Sequence, residues 1–244
     1  MFFRQLFDRE TCTYTYLLAD EEAKAAVLID PVAEHVDRDA QLLEELGFTL
    51  VYTLDTHVHA DHITGAGMLR ERLNSKSVLS ALGGAPCVDR AVTSGDVVQF
   101  GRYGLEVRAT PGHTDGCVTY VTRELVNGRR FAFTGDTLLI RGCGRTDFQQ
   151  GSAESLYTSV HTQIFTLPDE TAIYPGHDYK GRTCSTVGEE KRFNPRLGGG
   201  RALDDFKAIM DNLNLPHPKK LAESLPANQN CGLRPAPVSQ AAGE

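Results

Sequence analysis

Four apolar stretches of this chain end in side chains that suit metal ions. "LVYTLD" runs into "THVHADH" at residues 56–62, and "LEVRA" runs into "TPGHTDG". "FAFTGD" stops on Asp136, and "TAIYPGHD" carries His177. Continuous apolar runs of this length, closed by turn residues, read as buried strands. Layered α/β proteins gather their ligand sites at strand ends, where a rigid sheet holds the loop residues in place. If these strands share a direction, the chain has to fold so that their four ends converge on one rim.

Local spacing supports convergence. Residues two apart in an extended segment point to the same side, so His57 and His59 can reach one ion. A helix over "DHITGAGMLRERLN" with Asp61 at its N-cap would then hold Asp61 and His62 close by. Gly112 and Gly135 stand immediately before His113 and Asp136, where the absence of a Cβ lets the backbone approach a crowded centre. His35, His161 and His217 belong to no such array and read as structural.

The remaining chain predicts an α/β layered fold. "TCTYTYLLAD" and "AAVLIDP" read as strands, and "EHVDRDAQLLEELG" as an amphipathic helix closed by Gly47. "VVQFGRYGLEVRA" predicts a hairpin about Gly101 to Gly104; "CVTYVTR" and "RRFAFTGD" are strands flanking "VNG". "SAESLYTSVHTQIF" predicts a helix, and short helices broken by Pro195 and a glycine run follow from about residue 185. Helices alternate with strands only in part and the middle strands are hairpin-linked, so mixed sheets are expected rather than a purely parallel one. The tail at 233–244 reads as disordered.

Composition narrows the function classes. A formal net charge of −7 argues against an extended nucleic-acid surface. No apolar run approaches the ~20 residues that span a bilayer. The opening "MFFRQLFDRE" is too charged for a signal peptide and too acidic for a transit peptide. None of the six cysteines has C-x-x-C spacing, and reduced thiols are expected.

By residue type alone, two zinc ions are one solution. His57, His59 and His113 would bind one, Asp61, His62 and His177 the other, with Asp136 bridging. Such a site lowers the pKa of bound water to about 7 and suits thioester hydrolysis. A non-catalytic glutathione- or metal-binding module fits less well, because purely structural zinc sites are closed by four protein ligands.

"THVHADH", "TPGHTDG", "TGDTL" and "YPGHD" resemble, in order, the motifs of the metallo-β-lactamase superfamily. The resemblance implies a four-layer αββα sandwich of two mixed β-sheets, with the metal between the sheet edges. A narrower resemblance lies outside those motifs. "RGCGRTDFQQG", "YPGHDYKGRTCSTVGEEKRFNPRL" and "LPANQNCG" are similar to the persulfide dioxygenases, over essentially residues 1–232 as a single catalytic domain with a short helical C-terminal part. The related hydroxyacylglutathione hydrolases carry a longer helical C-terminal region; a β-lactamase role fits poorly without a secretion signal.

The narrower resemblance implies oxidation of glutathione persulfide by O2 and water to sulfite and glutathione. It implies one Fe(2+) per subunit, held by His57, His113 and Asp136, with His59, Asp61, His62 and His177 orienting ligands and water. Tyr179 and Arg196 would contact the tripeptide, and Arg145 with Asp147 would brace the metal loop as an ion pair. Cys143 and Cys231 are expected to be inert packing. The family implies a homodimer with no nucleic-acid or membrane partner, cytoplasmic in a bacterium or mitochondrial in a eukaryote.

Overall fold

The computed structural model describes residues 1–213, 215–216 and 220–233. Twelve strands form two six-stranded sheets. The first sheet takes β1 (Phe2–Phe7), β2 (Tyr14–Asp20), β3 (Ala25–Ile29), β4 (Thr49–Leu54), β5 (Lys76–Ser80) and β6 (Arg90–Val92), in that spatial order. The second holds β7 (Val97–Phe100), β8 (Tyr103–Ala109), β9 (Val118–Thr122), β10 (Phe131–Gly135), β11 (Ala172–Pro175) and β12 (Ser185–Thr186), in the order β12-β11-β10-β9-β8-β7. Both sheets are mixed. β3, β4, β5 and β6 run parallel, as do β10 and β11, and the other pairings are antiparallel.

Three separate apolar layers make the four-layer sandwich. Between the sheets lie Tyr16, Ile29, Leu54, Phe100, Tyr120, Phe133 and Tyr174. The outer face of the first sheet, with Leu17, Leu28 and Leu50, is covered by α1 (Val36–Leu46) and α2 (Ala66–Leu73) through Val36, Leu43 and Leu69. The outer face of the second, with Val121, Ala132 and Ile173, is covered by α3 (Ala153–Ser159), α4 (Val187–Phe193) and α5 (Leu203–Asp211) through Leu156, Val187 and Phe206. Each strand of such a sheet presents one set of alternate residues to each layer, which is why near-continuous apolar runs occur here. A fully buried side chain of this size contributes roughly 1.5–3 kcal/mol.

Local signals place the helix ends. Gly47 adopts the left-handed conformation (φ 66°) that closes α1, its amide donating to the Glu44 carbonyl at 3.0 Å. Ser152 caps α3, accepting the Ser155 amide at 3.2 Å. The helix expected over 152–165 is not uniform. After Ser159 it widens into a π-helical turn, Val160–Ile164, where the Phe165 amide reaches the Val160 carbonyl at 2.8 Å.

Two expectations are corrected. Asp61 does not cap α2, which begins at Ala66; its carboxylate is drawn instead to His62 at 3.1 Å and His177 at 2.8 Å. The cysteines are not all reduced thiols, because Cys87 and Cys231 form a disulfide across 144 residues. A pairing so distant in sequence has no spacing signature. Cys231 is therefore a covalent tether rather than simple packing. The last helix, α6 (Leu221–Asn228), leads into it.

Of the histidines read as structural, His35 binds Asp8 at 2.9 Å and His161 stacks on Tyr157 at 3.9 Å between centroids. His217 and residues 234–244 lie outside the described residues. Among the described residues, no helix is long and apolar enough to cross a membrane.

Candidate metal centre

The four strand ends meet, but from two sheets. β8, β10 and β11 end along one edge of the second sheet, while β4 arrives from the first. Hydrogen bonds stitch the two edges together at the rim. The Val118 amide donates to the Thr56 carbonyl at 2.9 Å, and the Tyr14 amide to the Gly176 carbonyl at 2.8 Å. Tyr16 adds its hydroxyl to the Pro175 carbonyl at 2.6 Å.

One nitrogen from His57, one from His113 and one oxygen from Asp136 lie within 4.8 Å of one another. His113 Nε2 and Asp136 Oδ2 are 3.7 Å apart. The tautomers follow from the partners. His113 Nδ1 is 2.7 Å from the Arg145 carbonyl, which can only accept, so Nδ1 carries the proton. His57 Nδ1 lies 3.0 Å from Thr56 Oγ1, whose own proton goes to Asp30 Oδ2 at 2.9 Å. Nδ1 must therefore donate there too. Both rings are left with a bare Nε2 as the ligand atom. Burial and the neighbouring imidazoles push the His57 pKa well below its ordinary value, so it can ligate without first losing a proton. Burial would raise the Asp136 pKa, but His177, His113 and His57 outweigh it and keep the carboxylate ionised. Two neutral imidazoles and a carboxylate on one face fit a non-haem metal ion with open positions.

The other predicted residues form a second group. His59, Asp61 and His62 also bring ligand atoms within 4.8 Å of one another. His59 Nδ1 and His62 Nε2 are buried with no hydrogen-bond partner among the described residues. His177 is different: Nδ1 meets Asp136 at 2.7 Å and Nε2 meets Asp61 at 2.8 Å. Burial would lower its pKa, but the two carboxylates raise it well above the ordinary value. In this arrangement both ring nitrogens of His177 face carboxylates, which favours its charged form. Thr13 Oγ1 lies 3.0 Å from its Nε2.

Tyr179 is 69% exposed, and its ring lies parallel to that of His177 at 6.0 Å between centroids. Arg196 Nη1 donates to the Cys143 carbonyl at 2.9 Å, on the segment whose Gly144 amide holds the Asp136 carbonyl at 2.7 Å. Arg145 and Asp147 form a two-point ion pair, Nε–Oδ1 at 2.6 Å and Nη2–Oδ2 at 2.7 Å. That pair sits directly on the residue whose carbonyl orients His113. Cys143 is buried 3.8 Å from Met210 Sδ, and burial pushes its thiol up to about 11. Gly112 and Gly135 are crowded, but against Leu156 and Thr56 rather than against the centre itself. At Gly144 an added Cβ would come 2.8 Å from His113 Nδ1.

Sequence reasoning missed Asp30, Thr56, Thr13 and Asn228. Asp30 is the buried hub under the centre: it accepts the Thr56 amide at 2.7 Å, the Thr56 hydroxyl, and His59 Nε2 at 3.1 Å. An acid closing the apolar run "AAVLIDP" was a visible signal for it. Thr13 and Asn228 had none.

This centre, held at the rim of two facing mixed sheets under flanking helices, defines a metal-dependent enzyme scaffold. Residues 11–177 match the family model described as "Metallo-beta-lactamase superfamily". The chain is 56% identical to "Persulfide dioxygenase ETHE1, mitochondrial" of Bos taurus, over 96% of this chain and 90% of that protein. Its Homo sapiens counterpart is 56% identical over 95% of this chain and 89% of that protein. Among solved structures, ETHE1 from Myxococcus xanthus matches with a TM-score of 0.91 and 54% identity, covering 96% of this chain and 100% of that one. The chain belongs to the metallo-β-lactamase superfamily and, within it, to the persulfide dioxygenase family.

Proposed function

We propose that this protein is a persulfide dioxygenase. It oxidises glutathione persulfide with O2 and water to sulfite and glutathione, using one iron(II) per subunit held by His57, His113 and Asp136. What carries the reading is the pair of Nδ1 protons committed to Thr56 and to the Arg145 carbonyl, which leaves three inward ligand atoms, in a chain so similar to named persulfide dioxygenases. When bound, iron supplies accessible redox states that zinc lacks. The protein's part is positioning. His177 orients Asp136 and joins it to Asp61, while His59 and His62 line the same centre. Tyr179 and Arg196 take the tripeptide, with the guanidinium clamping a carboxylate. Arg145 and Asp147 brace the His113 side. Residues 1–232 act as one catalytic unit, working as a homodimer, cytoplasmic in a bacterium or mitochondrial in a eukaryote.

The unpartnered His59 and His62 nitrogens favour a second reading, in which a further ion binds beside the first. Against it stands His177, whose two nitrogens are both taken by carboxylates. The dizinc thioesterase is not favoured by the relatives that cover the chain. Elemental analysis of anaerobically purified protein beside an oxygen-electrode assay separates these. Iron near one per chain, with oxygen uptake on adding glutathione persulfide and none after zinc replacement, is expected. Stoichiometric zinc with rapid thioester cleavage would end the dioxygenase reading.

A further inference from the structure

The segment His59–Thr64 carries three of the seven candidate ligands, His59, Asp61 and His62, and follows directly on the His57 strand end, yet has no regular structure of its own. Its backbone polar groups therefore need partners from elsewhere. Asn228, at the end of α6, supplies three. Its Nδ2 donates to the carbonyls of His59 at 2.9 Å and His62 at 2.8 Å, and its Oδ1 accepts the Thr64 amide at 2.8 Å. The side chain is 5% exposed, and both amide protons are spent on the two carbonyls.

The helix carrying Asn228 is pinned at both ends. Lys220 reaches Glu10 at 3.0 Å and Glu34 at 3.1 Å, contacts that are weak at a solvent-exposed surface. At the other end Cys231 is bonded to Cys87, and its carbonyl accepts the Gly67 amide at 2.8 Å. Leu225 packs against the apolar cluster of Val58, Leu79 and Ala85. The approach is so close that a Cβ on Gly67 would come 2.6 Å from the Cys231 carbonyl. The "LPANQNCG" segment is thus tethered against the loop that bears His59, Asp61 and His62.

We propose that Asn228 is a positioning residue for the metal centre, acting through the backbone of the His59–Thr64 loop, and that the Cys87–Cys231 disulfide locks it there. The proposal rests on the metal-centre reading above. It goes beyond it by assigning the C-terminal helix to the site.

The test compares Asn228→Ala, Asn228→Asp and Cys87→Ser with the parent protein. Each is titrated anaerobically with iron(II) against a colorimetric chelator, well below its unfolding temperature, and amide hydrogen exchange is followed on the metal-free protein. Asn228→Ala is expected to weaken iron affinity by about tenfold or more, as supporting groups around metal ligands do. The Thr64 amide should exchange faster in it. Asn228→Asp keeps the acceptor for Thr64 but turns a carboxylate toward two carbonyls, so affinity falls while Thr64 stays protected. Cys87→Ser should speed exchange at Gly67 and weaken iron by a smaller factor. If the Asn228 variants lower only the unfolding temperature and bind iron within about a factor of two of the parent, the role is merely structural and the proposal is wrong. Should Asn228→Ala fail to fold, Asn228→Asp and Cys87→Ser decide by the same criterion. Failure of the persulfide reading looks different: the parent would bind iron without consuming oxygen, leaving these affinity differences intact.

Discussion

Thr56→Val is the sharpest probe of how the centre is held. The substitution conserves shape at a buried position and deletes one hydroxyl that serves two partners. His57 Nδ1–H loses its acceptor at 3.0 Å, a buried unsatisfied donor that costs about 1–3 kcal/mol. Asp30 loses one of its three donors, a further ~1 kcal/mol. Together the change is ~3 kcal/mol, which for a chain of this size lowers Tm by roughly 6–12 °C in the metal-free protein. The functional effect should exceed what stability alone explains. With no acceptor at Nδ1, the imidazole is free to place its proton on Nε2, where it blocks the ligand lone pair. Metal affinity should fall by about tenfold to a hundredfold. Thermal unfolding of metal-free protein and chelator competition at low temperature measure the two effects separately, and Thr56→Ser should restore both. A Thr56→Val protein that unfolds and binds metal like the parent would refute the idea that this hydroxyl sets the His57 tautomer.

Other outcomes follow from the same geometry. Asp136→Ala should remove bound iron and oxygen uptake together if, as proposed, the carboxylate that anchors His177 also ligates the ion; retained iron by elemental analysis would contradict the ligand assignment. Arg196→Ala should raise KM more than it lowers kcat if its proposed role is uniform substrate binding. It also deletes the hydrogen bond to the Cys143 carbonyl, so a stability loss of ~1 kcal/mol accompanies it, and steady-state kinetics with unchanged KM would count against the binding role. Burial would raise the Asp8 pKa, but hydrogen bonds from the Thr11 hydroxyl and amide and from His35 outweigh it and hold the carboxyl down to about 2. Its stabilising contribution is therefore fully present above about pH 4 and is lost as the pH falls through about 2. Solvent screening at the protein surface brings that contribution to ~1 kcal/mol. Asp8→Asn should flatten acid unfolding in that window, and an unchanged acid profile would rule the contribution out.

What could be read from the chain alone was whatever depends on near neighbours. Strands announced themselves as apolar runs, α1 by its stripe of Val36, Ala40 and Leu43 closed by Gly47, and the candidate ligands by standing at strand ends. The α/β layering followed from how those elements alternate. What the tertiary structure alone decided are partnerships between residues far apart. Thr13 with His177, Asn228 with the His59–Thr64 loop, and Cys87 with Cys231 are long-range pairs that leave no periodic trace. Asp61 shows why a locally sound expectation failed: its carboxylate suits a helix cap, but two imidazoles, one adjacent in sequence and one brought up by folding from 116 residues away, hold it more strongly than a backbone amide could. A side chain's local preference is worth about 1 kcal/mol, and a charge-assisted pair in a buried centre outweighs it. Residue types and their placement on strand ends are properties of the chain; which of them share a proton, a bond or an ion is a property of the packed fold.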